Sequence, residues 1–463
     1  MIRLRTSTGI VLLLSLCGCK LGPNYKRPGL DIPGQYRGTA PDLGQQPSAQ
    51  PFGEMKWPAV YQDPTLQALL KEALTNNYNI RIAATRILQA QANLGITRAN
   101  QFPTVGGTAS IQNEQAIPLF PGSPWIDTLG LQMNYIVDFW GQYRRATEAA
   151  RANLLGTEYA RNVVQITLIS SVASDYFLLR QLDNQLEVST QTVANQEEVL
   201  KINTVAFKGG EYAITDVYQA QLLVQQAQAE RISVQQGLEQ TENNLSILLG
   251  RNPGPIARGL TLADQPHLPE VPPGLPSTLL ERRPDVRQAE EALVAANANV
   301  GVAKANFFPQ ISLTGSFGAS STALTSFLQG PATFWAVGGQ LAQPIFEGGR
   351  IRSTYRLAWA QRDEADLTYK QTVQQAFGDV SNSLVGYRQS REFRKKIEEQ
   401  TATYGETARL AQVRFSGGYT SFLEVLLTQQ QYFTSELTLA QAWFTEMQNY
   451  AQLYQALGGG WEQ

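Results

Sequence analysis

Histidine, cysteine and charge are all scarce in this chain of 463 residues. One His (His267) and two Cys (Cys17 and Cys19) are too few for a multi-ligand zinc or haem site or a disulfide framework. No nucleotide loop and no Ser–His–Asp set is legible either, so the expectation is a non-enzyme with no catalytic residue, no metal and no dissociable cofactor. Charged residues make up 16% of the chain and the formal net charge is −2. Neither sign dominates enough to hold nucleic acid through its phosphates. Proline is absent between Pro124 and Pro253 and again after Pro344. Because proline breaks helix interiors, both stretches are free to form very long helices.

What is present is amide and apolar. The 43% apolar content excludes a disordered chain, and 47 Gln supply a polar surface that is wet without being charged. Carboxylate pairs such as Glu290-Glu291 read as helix-surface charge.

The first residues predict an export signal over 1–18. Arg3 and Arg5 precede an apolar run from Gly9 to Leu16, which is too short to span roughly 30 Å of hydrocarbon. No other segment reaches the roughly 20 apolar residues of a transmembrane helix. The run ends in Leu16-Cys17-Gly18-Cys19, which resembles the bacterial lipobox. That resemblance implies cleavage before Cys19 and a lipid on it, diacylglycerol and N-palmitoyl. Lys20 in place of Asp after the cysteine implies the outer membrane.

The remainder is duplicated. Ala99-Asn100-Gln101-Phe102-Pro103 recurs as Ala305-Asn306-Phe307-Phe308-Pro309, and Asn93-Leu94-Gly95 as Asn299-Val300-Gly301, at an offset of 206 residues. Phe207-Lys208-Gly209-Gly210 recurs as Phe415-Ser416-Gly417-Gly418, and Leu249-Gly250 as Leu457-Gly458, at an offset of 208. Asp216 is the repeat partner of Glu424. The expected organisation is a lipidated N-terminal extension over 19–62, repeat 1 over 63–250, a Pro-rich linker over 251–276, repeat 2 over 277–457 and a tail over 458–463. Each repeat opens with a helix, near 64–98 and 277–305. Two strands and a long helical hairpin follow, the hairpins over 143–249 and 350–457. A helix of some 64 residues would be roughly 96 Å long, too long for a globular core, and must pack beside others. The pairs Gly209-Gly210 and Gly417-Gly418 suit the tight turns of these hairpins, with Phe207 and Phe415 as staples.

Period-2 alternation marks four strands, over 103–115, 129–140, 309–320 and 334–346. Leu129, Leu131, Met133, Tyr135 and Val137 alternate with Gln132 and Asn134, and Ile311, Leu313 and Phe317 alternate with Ser312, Thr314 and Ser316. Strands of about 10 residues with one apolar and one polar face match a pore wall across a bilayer. Aromatics at the strand ends, Trp125, Phe139, Trp140, Phe334, Trp335 and Phe346, fit interfacial girdles. Four strands leave two open edges, which hydrocarbon does not tolerate, so the chain is expected to oligomerise; three copies would give 12 strands and room for water.

Together these features resemble the outer-membrane factor family, the TolC-type exit ducts, and within it the lipidated branch serving multidrug efflux pumps of the resistance–nodulation–division (RND) type. The residues that carry the resemblance are Cys19, the run Leu21-Gly22-Pro23-Asn24-Tyr25-Lys26-Arg27-Pro28, the run Leu280-Glu281-Arg282-Arg283-Pro284-Asp285-Val286, both Gly-Gly turns and the C-terminal Gly458-Gly459-Gly460-Trp461. The resemblance implies an α+β membrane protein in which three chains share a 12-stranded β-barrel continuous with a long periplasmic α-helical barrel. It implies a homotrimer in outer-membrane lipid that docks to a periplasmic adaptor (membrane fusion) protein and an inner-membrane RND transporter, passing small molecules outward. It implies a gate at the periplasmic tips, where Glu424 falls at the position of an acidic ring, Leu427 at that of a second, Phe415 at a tyrosine and Thr420 at an arginine. Asp216 is expected in the same wall. Such a gate is more apolar than the family's. Two alternatives stay open: an exit duct for a secreted protein, and a periplasmic lipoprotein spacer that conducts nothing.

Overall fold

A computed structural model describes residues 19–37, 51–113, 125–266, 271, 276–321 and 332–461. The signal segment with Cys17, and also His267, lie outside the described residues. Nine helices and four strands follow in chain order among the described residues: α1 (Trp57–Val60), α2 (Pro64–Asn76), α3 (Tyr78–Ala99), β1 (Thr104–Asn113), β2 (Trp125–Val137), α4 (Gln142–Lys208), α5 (Ile214–Leu248), α6 (Pro276–Arg282), α7 (Pro284–Ala305), β3 (Gln310–Ser321), β4 (Thr333–Ala342), α8 (Arg350–Ser416) and α9 (Phe422–Ala456). The two proline-free stretches hold the hairpins α4–α5 and α8–α9, with arms of 67 and 35 residues in both.

Four expectations needed correction, two at breaks within helices and two at strand ends. The helix expected over 64–98 is two helices, broken at Asn77. The buried Asn77 side chain caps α3 by accepting from Asn79 (2.8 Å) and Ile80 (3.3 Å), while its Nδ2 donates to the Leu248 carbonyl at 2.9 Å. The helix expected over 277–305 is broken at Arg283, because the Pro284 ring disfavours helical backbone at the preceding residue. Strand β2 starts at Trp125 and stops at Val137, not at 129 and 140. Asp138 instead caps α4, accepting from the N–H groups of Tyr143 (3.1 Å) and Arg144 (2.9 Å), and Gly141 turns the chain at a φ of 77°. Strand β4 stops at Ala342, short of 346, ahead of Pro344, which has no N–H for a ladder.

The four strands form one antiparallel sheet in the order β1-β2-β3-β4. Its register places Val105, Met133, Gly315 and Val337 in one row, and Gly107, Leu131, Phe317 and Trp335 in the next. The alternate rows are Thr104, Asn134, Thr314 and Gly338, then Gly106, Gln132, Ser316 and Ala336. Period-2 geometry puts these two sets on opposite faces.

Contacts divide the chain into two compact units. The first comprises residues up to 30, 85–158 and 288–371 and contains the whole sheet; the second comprises 31–84, 159–287 and 372–463. Each unit draws on both repeats, so the compact units cut across the duplicated halves. The first is packed through small residues: Ala149, Ala152, Ala295 and Ala298 cluster against Val294, and Val300, Ala303 and Ala358 against Tyr355 and Trp359. Small side chains let neighbouring helices lie close. The second has an aromatic core, with Phe52 at 5.0 Å from Tyr450 and 5.4 Å from Tyr454, and Tyr61 edge-on to Tyr454 at 6.0 Å. One 18-residue stretch of α4 is apolar enough to cross a membrane, against the expectation that no such segment exists, but 56% of it is buried in the chain.

Candidate functional site

The sheet exposes its apolar face. Phe317, Trp335 and Val337 are 63%, 76% and 79% exposed, and Val105, Leu129, Leu131 and Leu341 are also open. Burial of such side chains is worth roughly 1.5–3 kcal/mol each, so a contiguous face of them in water would be strongly unfavourable. The other face carries hydroxyls and amides without a formal charge, from Thr104, Thr108, Gln132, Asn134, Thr314 and Ser316. Strands β1 and β4 each pair on one side only.

Below the sheet, Trp140 stacks on Phe308 at 4.7 Å, meets Phe139 edge-on at 4.8 Å and donates its indole N–H to the Pro309 carbonyl at 2.7 Å. The N-terminal run that begins at Cys19, a strap across the helices, lies against this floor. The Leu21 N–H donates to the Trp140 carbonyl at 3.2 Å, and the Arg144 guanidinium reaches the Cys19 carbonyl at 3.4 Å. Arg145 is the principal clamp. Only 1% exposed, it donates to the carbonyls of Leu21 (2.9 Å) and Gly22 (3.3 Å) and to Asn24 (2.8 Å), and it pairs with Glu148 at 3.0 Å, which Lys20 also engages. Gly22 has a φ of 94°, and a Cβ there would sit 2.4 Å from the Gly301 Cα. Glu290, read from sequence as surface charge, is in fact buried and takes both nitrogens of the Arg27 fork (2.7 and 2.6 Å) and the Tyr25 hydroxyl (3.1 Å). Sequence inspection missed Arg145 and misplaced Glu290, because the groups that bury them come from the strap more than 120 residues away.

At the other ends of the long helices the two Gly-Gly turns have the same construction. The N–H groups of Gly210 and Glu211 return to Phe207 and Ala206, and those of Gly418 and Tyr419 to Phe415 and Arg414, at 2.9–3.0 Å. In each pair the second glycine takes the positive φ, 82° at Gly210 and 75° at Gly418. These are Schellman ends, in which only glycine escapes the Cβ penalty. The turns meet through aromatic rings: Phe415 lies 5.5 Å from Phe422 and 6.3 Å from Tyr212. Asp216 accepts from the Ala213 N–H at 3.1 Å, capping its own helix. Glu424 is held by Arg414 at 2.8 Å and by the Thr420 hydroxyl. Leu427 is half-exposed and Phe207 partly exposed. Among the described residues no group of three or more His, Cys, Asp or Glu could hold a metal ion.

A lipid-seeking face, a neutral polar face and long paired helices are the parts of a membrane duct, and the comparisons with known proteins agree. The model of the outer membrane efflux protein family matches the chain twice, over 69–251 and 275–459. This chain belongs to that family. The two matches fall on the two repeats. Among relatives, the solvent efflux pump outer membrane protein SrpC of Pseudomonas putida is 36% identical over 97% of both chains. The cation efflux system protein CusC of Escherichia coli O6:H1 is 31% identical, again over 97% of both. The open-state MtrE outer membrane channel of Neisseria gonorrhoeae superposes with a TM-score of 0.86 at 28% identity, covering 96% of this chain and 98% of that one. As in its family, this protein is an outer-membrane efflux duct that extends into the periplasm. Its fold is that of the efflux channels, mostly helical with four antiparallel strands.

Proposed function

We propose that the protein is the outer-membrane member of a tripartite pump, working as a homotrimer that receives small organic molecules from an inner-membrane RND transporter through a periplasmic adaptor. The carrying observation is the four-stranded sheet with opposed faces and an open edge at each end. Hydrocarbon rejects open edges, and joining β4 of one copy to β1 of the next closes them. Three copies give 12 strands, wide enough for a wet lumen. The neutral hydroxyl and amide face argues for passage with little selection, so the choice of cargo rests with the transporter. Relatives named for solvents and for cations are compatible with so permissive a wall.

Lipidation of Cys19 belongs to the same reading. The strap seats Cys19 beside Gly141 and Arg144, close in sequence to the end of β2, which supports a reading in which its diacylglycerol and N-palmitoyl chains enter the leaflet nearest that end of the sheet. The gate is assigned to the hairpin ends, with Phe415, Asp216, Glu424 and Leu427 at the constriction. Exposed Ile214, Tyr218, Tyr419 and Leu423 offer an apolar docking rim for the adaptor.

The test is the purified protein in planar bilayers, with its particle mass measured in detergent. A duct conducts and has three times the mass of one mature chain, which after loss of residues 1–18 lies slightly below the 51.0 kDa of the full sequence. A monomer that conducts nothing, and that leaves the membrane without detergent once Cys19 is replaced by Ser, would be a spacer instead.

A further inference from the structure

The first compact unit holds the junction between the two repeats. In the sheet, β2 of the first repeat pairs with β3 of the second, with Met133 opposite Gly315 and Leu131 opposite Phe317. Next to that strand pair, α4 leaves β2 and α7 leads into β3. The two helices are antiparallel and close. A Cβ at Gly301 would lie 2.9 Å from Arg145 Cγ, and one at Gly156 would lie 3.6 Å from Glu291 Cβ. That register sets Ala149 against Ala298 and Ala152 against Ala295, and all four are buried, with Val294 packed beside them.

The duplication supplies a second set of the same parts, and that set is bare. At the repeat offsets of 206 and 208 residues, Leu357 and Ala360 of α8 stand for Ala149 and Ala152. Leu88, Gln89 and Ala92 of α3 stand for Val294, Ala295 and Ala298. All five are exposed, Leu357 by 57% and Leu88 by 64%. The contact inside each repeat, by contrast, is made twice. In the second repeat Ala358 of α8 packs on Val300 and Ala303 of α7. In the first, its counterpart Ala150 is equally buried, and Gln101, just past α3, donates to the Thr147 hydroxyl of α4. Packing is therefore repeated wherever both halves lie in one chain, and is missing where the next half would belong to another. A repeat unit that cannot bury its own face does so against a neighbouring unit. The bare helices also flank the open sheet edges, since α3 leads into β1 and α8 leaves β4.

We propose, on the basis of the homotrimer proposed above, that the junction between copies repeats the junction within the chain, residue for residue. In it, α8 packs on α3 of a second copy, with Leu357 against the partner's Ala92 and Ala360 against the partner's Gln89. Beside them β4 pairs with β1 of that copy. The internal register, carried over by the same offsets, puts Leu341 opposite the partner's Ala109 and Gly339 opposite the partner's Ile111. This register keeps the apolar rows of both strands on one face. A seam from the second repeat of one copy to the first repeat of the next is head-to-tail, the kind of contact that closes into a ring. The clamp on the N-terminal strap is not copied. Ser353 and Arg356 stand where α4 has Arg145 and Glu148, and a Cβ at Gly95, the counterpart of Gly301, meets nothing within 4 Å. The seam between copies thus closes on helix and strand contacts, without a strap.

The experiment is oxidative cross-linking of the full-length protein in isolated outer membranes, read on non-reducing gels with the parent as baseline. Ala149→Cys with Ala298→Cys is the control and should form its disulfide within one chain. Leu357→Cys with Ala92→Cys, and separately Ala360→Cys with Gln89→Cys, should join chains into dimers and trimers. All four test positions are exposed in the single chain, so its fold tolerates the changes. Leu357→Cys with Ile96→Cys is one helical turn out of register. It should link about tenfold more slowly, since a disulfide tolerates only a few ångströms of misfit. Particle mass in detergent separates this seam from the trimer itself. Three chains per particle, with the control linked and neither test pair joining chains, would overturn the seam and leave the trimer standing. Ile96→Cys linking as fast as Ala92→Cys would do the same. One chain per particle would overturn both.

Discussion

Arg414 and Glu424 face each other across the second hairpin turn, their charged groups 2.8 Å apart. The pair joins the last turn of α8 to the first turn of α9, and Thr420 adds a hydrogen bond to the same carboxylate. An acidic ring at a neck favours cations, but here each acid comes with its own base. The wild-type pore is therefore expected to be nearly unselective between small monovalent ions. Arg414→Gln leaves Glu424 uncompensated and should shift the reversal potential in a salt gradient towards cation preference. Glu424→Gln should shift it the other way. Both side chains are about half exposed, so either change should cost no more than about 1 kcal/mol in stability. Identical reversal potentials in both variants would remove the tips from the conduction path.

Arg145 predicts a second outcome. It is 1% exposed, and it satisfies two backbone carbonyls, Asn24 and Glu148 at once. Arg145→Ala strips those partners and leaves carbonyls with no donor, at a cost of about 3 kcal/mol. Arg145→Lys should recover little, because one ammonium cannot reach carbonyls and carboxylate in the fork geometry. The strap should then lift, and trypsin should cut after Lys20 and Lys26 much faster than in the parent. Equal cleavage rates would show that the strap is held by other contacts.

The duplication yields a third prediction. Gly95 and Gly301 occupy equivalent positions in the two repeats, yet an added Cβ at Gly95 meets nothing within 4 Å, while one at Gly301 meets the Leu21 carbonyl at 2.7 Å and Arg145 Cγ at 2.9 Å. The N-terminal strap packs on Gly301 and not on Gly95. Gly95→Ala should be neutral or stabilising by up to about 1 kcal/mol through helix propensity. Gly301→Ala should be strongly destabilising and should expose the strap to the same protease. Equal melting temperatures in the two variants would refute this asymmetry.

Much of the fold was legible because its signals are local. Missing proline marked the stretches that hold the hairpins, whose expected bounds of 143–249 and 350–457 lie within about two residues of the helix ends, and the period-2 rows from Leu129 to Val137 and from Ile311 to Phe317 placed the sheet faces. The paired glycines marked the turns because a Schellman end needs a residue at positive φ. What escaped was set by residues distant in sequence. The break at Asn77 depends partly on Leu248, the burial of Glu290 on Arg27, and the neutralisation of Glu424 on a base on the far side of a turn. The compact units could not be read from the repeats, since α4 and α8 each contribute to both.

Asp63 gives the last prediction, and its sign can be worked out. The buried carboxylate caps α2 through Thr65 (2.8 Å) and Leu66 (3.4 Å), and accepts from Tyr176 (2.7 Å), the Leu260 N–H (3.0 Å) and Gln265 (2.8 Å). It thereby ties the inter-repeat linker to α4. Burial alone would raise its pKa, but the bonds from Tyr176, Gln265, Thr65 and Leu260 outweigh this and hold it below the ordinary 3.8. A depressed carboxyl contributes stability that is fully present above the unfolded value and is lost as the pH falls through the folded one. Asp63→Asn should therefore be destabilised at neutral pH by about 3 kcal/mol, since its NH₂ would point at donors. The gap to the parent should narrow below 3.8, as the parent takes up its proton. Gly259→Ala approaches the same hub from the linker side, where a Cβ would lie 2.3 Å from Asp63 Oδ1, and should reproduce the neutral-pH loss. Thermal melts of all three proteins between neutral pH and about pH 3 decide the matter: a gap for Asp63→Asn that stays constant over that range would show that this carboxylate is not the acid-labile tie.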